Sequence, residues 1–211
     1  MNTGNMSRIM KAVMALLILP MSLYAGESNA QQARKLFNRV YNMVFASKGC
    51  TLHYDVNIIG IYKTKGTISY KGKKNRYAED RYLSWNDGVT AYMVDKKKKT
   101  VNVYRADDDN KDEYLAKFKY DLNNFEYSWK NGKDGIQLIL KPKTSHFVGI
   151  RQVIGVLDSK THYPKYLRIK VAFFWTTVKI SHFSTDELDD KVFVFPRQQF
   201  PSYRFTDHRK E

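Results

Sequence analysis

Cysteine is nearly missing from this 211-residue sequence, and the single Cys50 excludes two kinds of stabilising site. One cysteine cannot form an intramolecular disulfide, and it cannot supply the several thiolates of the usual structural zinc sites. The five histidines are scattered without the spacing of metal ligands. We therefore expect Cys50 to be a small buried side chain, and we expect neither a metal nor a cofactor.

The sequence also lacks the motifs of common catalytic sites. It contains no Gly-x-Ser-x-Gly turn for a nucleophile and no glycine-rich loop for phosphate. The aspartates of Ala106–Asp112 lack the glycine and the closing glutamate of an EF-hand loop. Glu79 and Asp80 could form an acid–base pair, but a strand-surface ion pair is the preferred interpretation. An enzyme is therefore disfavoured.

Acidic residues are few beside the basic ones, with 21 Asp and Glu against 36 Lys and Arg and a net charge of +15. Such a balance is typical of a protein with an anionic partner, or of surface charge that only confers solubility. Nucleic acid is one candidate, but the export signal described next argues against it. Anionic lipid headgroups, acidic glycans and acidic proteins remain. The run Lys96–Lys99 is interpreted as a solvated turn between two strands.

The N-terminal apolar run Ala12–Leu19 falls short of the ~20 residues that a membrane-spanning helix needs, so a transmembrane anchor is disfavoured. Arg8 and Lys11 precede the run and small residues follow it, which is the order of a secretory signal peptide. We predict a signal peptide over residues 1–25, with residue 30 as the latest cleavage position. The mature protein is then expected to work outside the cytoplasm.

After the leader, residues 31–211 are expected to form one domain that begins with a helix. Apolar residues recur at helical spacing over Gln31–Ser47, and Lys48 and Gly49 supply a stop signal. A second amphipathic helix is predicted over Glu113–Phe125. Both helices need an apolar surface to pack against.

Most of the remaining sequence predicts strands. Polarity alternates from Thr51 to Tyr62, and Asn86–Gly88 and Asn131–Gly132 are typical hairpin turns. Many antiparallel strands in series with two helices indicate an α+β domain built on one large curved sheet. The other predicted strands are Thr67–Tyr70, Arg76–Trp85, Val89–Val94, Thr100–Tyr104, Tyr127–Lys130, Ile136–Lys141, Ile150–Leu157, Tyr166–Phe174, Thr176–Phe183 and Val192–Phe195.

Four short segments occur in an order that resembles a known family. Gly66–Lys71 matches the pattern Gly-x-Leu/Ile-aromatic before a basic turn, and Asp87–Asp95 matches a hairpin, an aromatic strand and an aspartate turn. Leu140–Lys143 matches a Leu-Thr-Pro-Lys strand end, and Phe193–Pro196 matches Phe-x-Phe-x-Pro. This order resembles the LolA-like family of periplasmic outer-membrane lipoprotein carriers, over nearly all of the chain after the leader.

The chain departs from the family pattern at the turn after the basic strand. The family usually carries Arg-Pro there, and its arginine is tied to closure of the helical lid and to release of cargo. This chain has Gly72 and Lys73 instead. Lys73, Lys74 and Arg76 are the candidates to replace that arginine. The chain therefore looks like a divergent member.

The resemblance implies an open half-barrel, in which helices cover the concave face of a strongly curved antiparallel sheet. It also implies a monomeric periplasmic carrier that shields lipoprotein acyl chains between an inner-membrane donor and an outer-membrane acceptor. The residues expected to bind lipid are Leu52, Tyr54, Val56, Ile58, Ile68, Tyr70, Met93, Leu138, Leu140, Ile169 and Val171. The residues expected to form the lid are Phe37, Val40, Val44, Phe118 and Leu122.

Other interpretations of the same residues stay open. Each lining position is also a typical core position, and sequence alone does not separate packed core from the wall of a cavity. The cargo could be another lipid or hydrophobic product, or the fold could serve a regulator that senses lipid and binds a partner protein. A carrier predicts an apolar cavity with mobile helices. An enzyme predicts a pocket with perturbed titratable groups.

Overall fold

A computed structural model of the protein describes residues 27–46, 48–58, 62–108, 122–144 and 149–209. These residues form one α-helix, α1 (Asn29–Phe45), three short 3-10 helices and a sheet of twelve strands. The strands are β1 (Cys50–Ile58), β2 (Tyr62–Lys71), β3 (Lys74–Glu79), β4 (Tyr82–Asn86), β5 (Thr90–Asp95), β6 (Thr100–Arg105), β7 (Phe125–Gly132), β8 (Gly135–Pro142), β9 (Ile150–Leu157), β10 (Pro164–Val171), β11 (Phe174–Ser184) and β12 (Arg204–Asp207).

The sheet consists of two antiparallel meanders joined at one place. Strands β1 to β6 pair in sequence order, and so do β7 to β11. The two meanders meet where β11 pairs with β1, and the sheet does not close on itself. β7 forms one edge, and β12 forms the other by pairing in parallel with β6. The sequence prediction of an α+β protein with an open antiparallel sheet is confirmed.

Helix α1 begins at a capping box. The backbone N–H of Gln31 donates to Ser28 Oγ at 3.2 Å, and the N–H of Ser28 donates to Gln31 Oε1 at 2.9 Å. These two bonds satisfy backbone donors that the first turn leaves unpaired. The helix packs against β7, β8, β1 and β2. In the described part of the chain, no helix is long and apolar enough to cross a membrane.

The register divides the sheet residues between two faces, because residues directly opposite in an antiparallel pair point to the same side. We call the side that contacts α1 the helix-side face and the other side the opposite face. On the opposite face, Trp85, Val94 and Val101 form a buried cluster with Phe200. The segment after β11, from residue 185 to residue 209, therefore covers β4 to β6 on the opposite face. We call it the C-terminal segment.

Several of the predicted strands differ from the structure. Tyr62, at the end of the predicted strand Thr51–Tyr62, begins β2, and Phe174, at the end of the predicted strand Tyr166–Phe174, begins β11. The predicted strand Val192–Phe195 is wrong, since a 3-10 helix occupies Asp190–Phe193 and the Asp189 side chain accepts a bond from the N–H of Lys191 at its start. The predicted strand Arg76–Trp85 is divided at Asp80 and Arg81 into β3 and β4.

The predicted second helix Glu113–Phe125 is wrong at its C-terminal end. Residues 122–124 form a 3-10 turn and Phe125 begins β7, where its ring is buried under α1. The part of this prediction from residue 113 to residue 121 lies outside the described residues. The short strand β12 has no counterpart in the sequence prediction, because four residues are too few to show an alternating pattern.

Candidate functional site

Ten of the eleven residues predicted to bind lipid lie on the helix-side face. Leu52 is opposite Ile68, and Val56 is opposite Val178. The same pairing continues across β8 to β10, where Leu140 is opposite Val153. Ile58 is the last residue of β1. By this register the helix-side face contains Leu52, Tyr54, Val56, Ile68, Tyr70, Met93, Leu138, Leu140, Ile169 and Val171.

Burial separates these residues into two groups. Leu52, Ile68, Leu138 and Leu140 are buried. Leu138 and Leu140 pack with Ala33 of the helix in a core cluster, so they are positions at which the packed-core interpretation holds. The other members are half-buried and keep part of their surface open: Tyr54, Val56, Tyr70, Met93, Ile169 and Val171.

The open apolar surface is concentrated where the two meanders meet. Val178 of β11 is opposite Val56 on one side and Leu167 on the other, and Ile169 is opposite Val153. All five side chains are half-buried. We call these five residues the central apolar face. Val153, Leu167 and Val178 were not among the sequence candidates, because the pairing of β11 with β1 brings together residues that are far apart in sequence.

Helix α1 also keeps much of its apolar surface unburied. Of its 17 residues, only Ala33 is fully buried. The predicted lid residues Phe37, Val40 and Val44 are half-buried, and Tyr41 and Phe45 are 43% and 38% exposed. An amphipathic helix in a finished core normally buries its apolar stripe. Packing against the described residues therefore leaves apolar helix surface available to a ligand.

Aromatic rings on the helix form a continuous series between two distant strands. Phe37 contacts Tyr127 of β7 at 5.3 Å between ring centroids, and Phe45 contacts Tyr70 of β2 at 5.0 Å. Tyr41 lies between them, 6.0 Å from Phe37 and 4.7 Å from Phe45. The helix thus touches β7 at one end and β2 at the other, although five strands separate them in the sheet.

Polar anchors hold the N-terminal part of the helix. The Asn29 side chain forms two hydrogen bonds with the backbone of Trp129, and the Trp129 indole N–H donates to Gln32 Oε1 at 3.0 Å. Arg34 donates to the carbonyl of Leu122 at 2.9 Å, and its guanidinium lies 4.6 Å from the centre of the Tyr127 ring. Leu122 therefore lies beside the start of α1. The other predicted lid residue on that segment, Phe118, lies outside the described residues.

The helix-side face becomes polar beyond β2. Tyr54 donates a hydrogen bond to Glu79 Oε1 of β3. On β4, Ser84 and Asn86 are buried on this face. Met93 is opposite Ser84 and Asn102, so its surroundings are polar and it lies apart from the central apolar face.

Comparisons with known proteins find a similar fold but no similar sequence. No protein-family model matches the chain, and no curated protein matches it. An uncharacterized conserved protein from Thermus thermophilus covers 84% of this chain and 100% of its own length, with 9% identity and a TM-score of 0.57. The chain shares its fold. Weaker similarity links it to a LolA superfamily protein from Nitrosomonas europaea, with 10% identity, 78% and 98% coverage and a TM-score of 0.38.

A protein domain from Vibrio parahaemolyticus, named for outer membrane lipoprotein sorting, is similar at 10% identity, with 82% and 99% coverage and a TM-score of 0.43. Both of these similarities are at low identity and at TM-scores below 0.5.

Lys71, Lys74 and Arg76, at the turn between β2 and β3, contact elements other than α1. Arg76 is on the opposite face, with its guanidinium 5.3 Å from the centre of the Trp85 ring. Lys71 and Lys74 form ion pairs with Asp190 at 2.9 and 3.1 Å. These hydrogen bonds, first from Lys71 and then from Lys74, lower the pKa of Asp190. The two lysines therefore tie the turn to the C-terminal segment.

The shifted pKa values of two titratable groups have structural causes. Burial raises the pKa of the Cys50 thiol to about 11, and Cys50 Sγ donates to the carbonyl of Val44 at 3.3 Å. The buried position predicted for Cys50 is confirmed. Hydrogen bonds from the backbone N–H groups of Thr161 and Lys160 lower the pKa of Asp158. The described residues contain no group of three or more His, Cys, Asp or Glu side chains that could hold a metal ion.

Proposed function

We propose that the protein is a periplasmic carrier that binds lipoprotein acyl chains between α1 and the central apolar face and shuttles them towards the outer membrane. One observation carries this proposal: half-buried apolar side chains remain both on α1 and on the face of the sheet against which α1 packs. The signal peptide predicted over residues 1–25 supports export. The order of sequence motifs that resembles the LolA-like family supports the same class of cargo.

The proposal includes a curved sheet, an open half-barrel whose concave side is the helix-side face. β7 and β2 are six strand spacings apart in the sheet. In a flat sheet this separation would be about 29 Å, at ~4.8 Å per strand. Three aromatic side chains of one helix connect rings on these two strands. This short connection supports a sheet that bends around the helix.

Apolar binding of this kind suits a carrier. An acyl chain that leaves a membrane for water costs about 0.8 kcal/mol per methylene group, so a soluble carrier must cover it. Contacts with aliphatic side chains are non-directional and allow different chains to be accommodated and released. On this proposal, an inner-membrane donor loads the protein as a monomer, and an outer-membrane acceptor receives the cargo.

Two matched substitutions test where the acyl chain binds. Ile169 is a half-buried residue of the central apolar face, and Ile154 is a half-buried isoleucine of the neighbouring strand on the opposite face. We expect Ile169→Asn to weaken binding of a fluorescent acylated lipopeptide at least ~10-fold, because an amide in an apolar site lacks partners. Ile154→Asn should bind as the unchanged protein does. Urea unfolding of both variants controls for stability.

Cargo release separates a lipoprotein carrier from the alternatives. The purified protein is added to spheroplasts, and the soluble fraction is examined for lipoproteins bound to it. Release that Ile169→Asn abolishes and Ile154→Asn preserves would support the proposal. Equal lipopeptide binding by folded samples of both variants would overturn the assigned site. Binding of lipopeptide without release from spheroplasts would assign the protein another lipid cargo or a lipid-sensing function.

A further inference from the structure

The hairpin between β10 and β11 ends in two strongly exposed phenylalanines. Phe173 is 70% exposed and Phe174 is 76% exposed, which makes them the most exposed aromatic residues in the described part of the chain. They are adjacent, at the turn that follows Val171. Single exposed apolar residues are common on protein surfaces. Two neighbouring phenylalanines at the tip of a hairpin form an apolar projection that is mostly exposed.

Cationic side chains surround this tip. The Arg168 guanidinium lies 4.7 Å from the centre of the Trp175 ring, and Lys170 Nζ lies 5.8 Å from the same ring. Arg151 lies 5.9 Å from the centre of the Phe173 ring. The sequence from residue 159 to residue 185 contains five Lys and Arg and no Asp or Glu. The tip therefore combines exposed aromatic rings with positively charged side chains.

We propose that this hairpin tip docks the protein onto an anionic lipid bilayer. Phe173 and Phe174 enter the boundary between headgroups and acyl chains, while Arg168 and Lys170 meet lipid phosphates. Aromatic rings favour that boundary, and basic residues near an anionic leaflet add to the attraction. The whole chain also carries a net charge of +15.

The placement of the rings favours a bilayer over a protein partner. Phe174 is opposite Val171 on the helix-side face, whereas Trp175 is opposite Lys170 on the opposite face. Aromatic side chains thus project from both sides of the hairpin. A flat or grooved protein surface would contact one side of such a projection, while lipid can surround it on all sides.

Docking at this tip would place one end of the central apolar face at the membrane. Val171 and Phe174 are at the same end of β10 and β11, and Ile169 lies on the same face, two residues before Val171. An acyl chain could then pass from the bilayer to the space under α1. This consequence rests on the proposed function, whereas docking itself does not.

Vesicle flotation of the purified protein tests the docking surface. Vesicles of phosphatidylethanolamine and phosphatidylglycerol are compared with vesicles of phosphatidylcholine alone. We expect binding to the anionic vesicles that weakens as salt rises, because salt screens the headgroup charge. The double variant Phe173→Ser/Phe174→Ser should lose at least ~10-fold of the binding, since each buried phenylalanine contributes substantially to partitioning. Arg168→Gln/Lys170→Gln should remove most of the preference for anionic vesicles.

Two control variants make the result specific. Val89 is 77% exposed in the turn between β4 and β5, so Val89→Ser removes an equally exposed apolar side chain elsewhere and should bind vesicles normally. Ile169→Asn should also bind vesicles normally, which distinguishes failure of docking from failure of the proposed cargo site. The emission of Trp175 should shift to shorter wavelength on docking. Normal binding by the double phenylalanine variant, or no binding by the unchanged protein, would overturn the proposal. Tip-dependent release from spheroplasts without vesicle binding would also overturn it, in favour of a protein partner.

Discussion

One side chain connects the first turn of α1 to β7, the strand at one edge of the described sheet. The N–H of Trp129 donates to Asn29 Oδ1 at 3.0 Å, and Asn29 Nδ2 donates to the carbonyl of Trp129 at 2.9 Å. The amide of Asn29 thus occupies the place that a neighbouring strand would take at the outer edge of β7. We predict that Asn29→Ala weakens this attachment and destabilises the protein.

The expected loss follows from the two hydrogen bonds. A hydrogen bond inside a protein contributes about 1 kcal/mol net, because water competes for both partners. Both hydrogen bonds of Asn29 are at an exposed site, so each should contribute about this free energy or less. We therefore expect Asn29→Ala to lower the free energy of unfolding by about 1–2 kcal/mol. Urea unfolding followed by circular dichroism measures this change.

A second asparagine of the same helix provides the control. Asn38 lies in α1, away from these two bonds, and Asn38→Ala should leave stability unchanged or raise it by about 0.5 kcal/mol through helix propensity. Hydrogen exchange of the Trp129 amide should also accelerate in Asn29→Ala and not in Asn38→Ala. If both variants unfold at the same urea concentration and protect Trp129 equally, Asn29 does not anchor the helix.

Two further predictions concern a turn and an ion pair. Gly135→Ala should cost about 3 kcal/mol or more, because φ is +139° and a Cβ would lie 2.0 Å from the carbonyl oxygen of Leu157. Gly72→Ala, with φ +58° and open space around it, should cost about 1 kcal/mol in the same unfolding assay, and equal losses would contradict this. The hydrogen bond from Arg81 lowers the pKa of Asp95. The ionised carboxylate therefore adds stability above pH ~4, and this stability is lost as the pH falls through the lowered pKa. The difference in the free energy of unfolding between the unchanged protein and Asp95→Asn should therefore shrink in acid. An advantage that stays constant down to pH ~3 would refute this.

Alternation in the sequence predicts the faces of single strands well and their neighbours poorly. Leu52, Tyr54 and Val56 share a face because a strand has a period of two, which is a local property. The pairing of Val56 with Val178 depends on how the two meanders meet, and no local pattern specifies it. For the same reason Val153 and Leu167 were missing from the predicted site. A face can be predicted from spacing, whereas a site that crosses several strands needs the register.

The sequence also does not predict which residues of the helix-side face are fully buried. Leu140 and Ile169 have similar alternating surroundings, yet Leu140 packs in the cluster of Ala33 and Tyr127 while Ile169 is half-buried. The difference arises from the position of α1, whose polar anchors at Asn29 and Arg34 hold it over β7 and β8. A polar substitution at Leu140 would therefore test the fold, and one at Ile169 tests the site.

The single junction between the two meanders has a consequence for how the chain folds. Every strand pair apart from β1–β11 and β6–β12 joins neighbours in sequence, so most of the sheet can form from local hairpins. Pairing Thr51 with Ser184 must bring together residues from distant parts of the chain. Closing the long loop between β1 and β11 is slow, so both strands remain unpaired on that side until late in folding. During that interval each edge can pair with another chain, which makes the newly made protein most prone to aggregation before the junction closes.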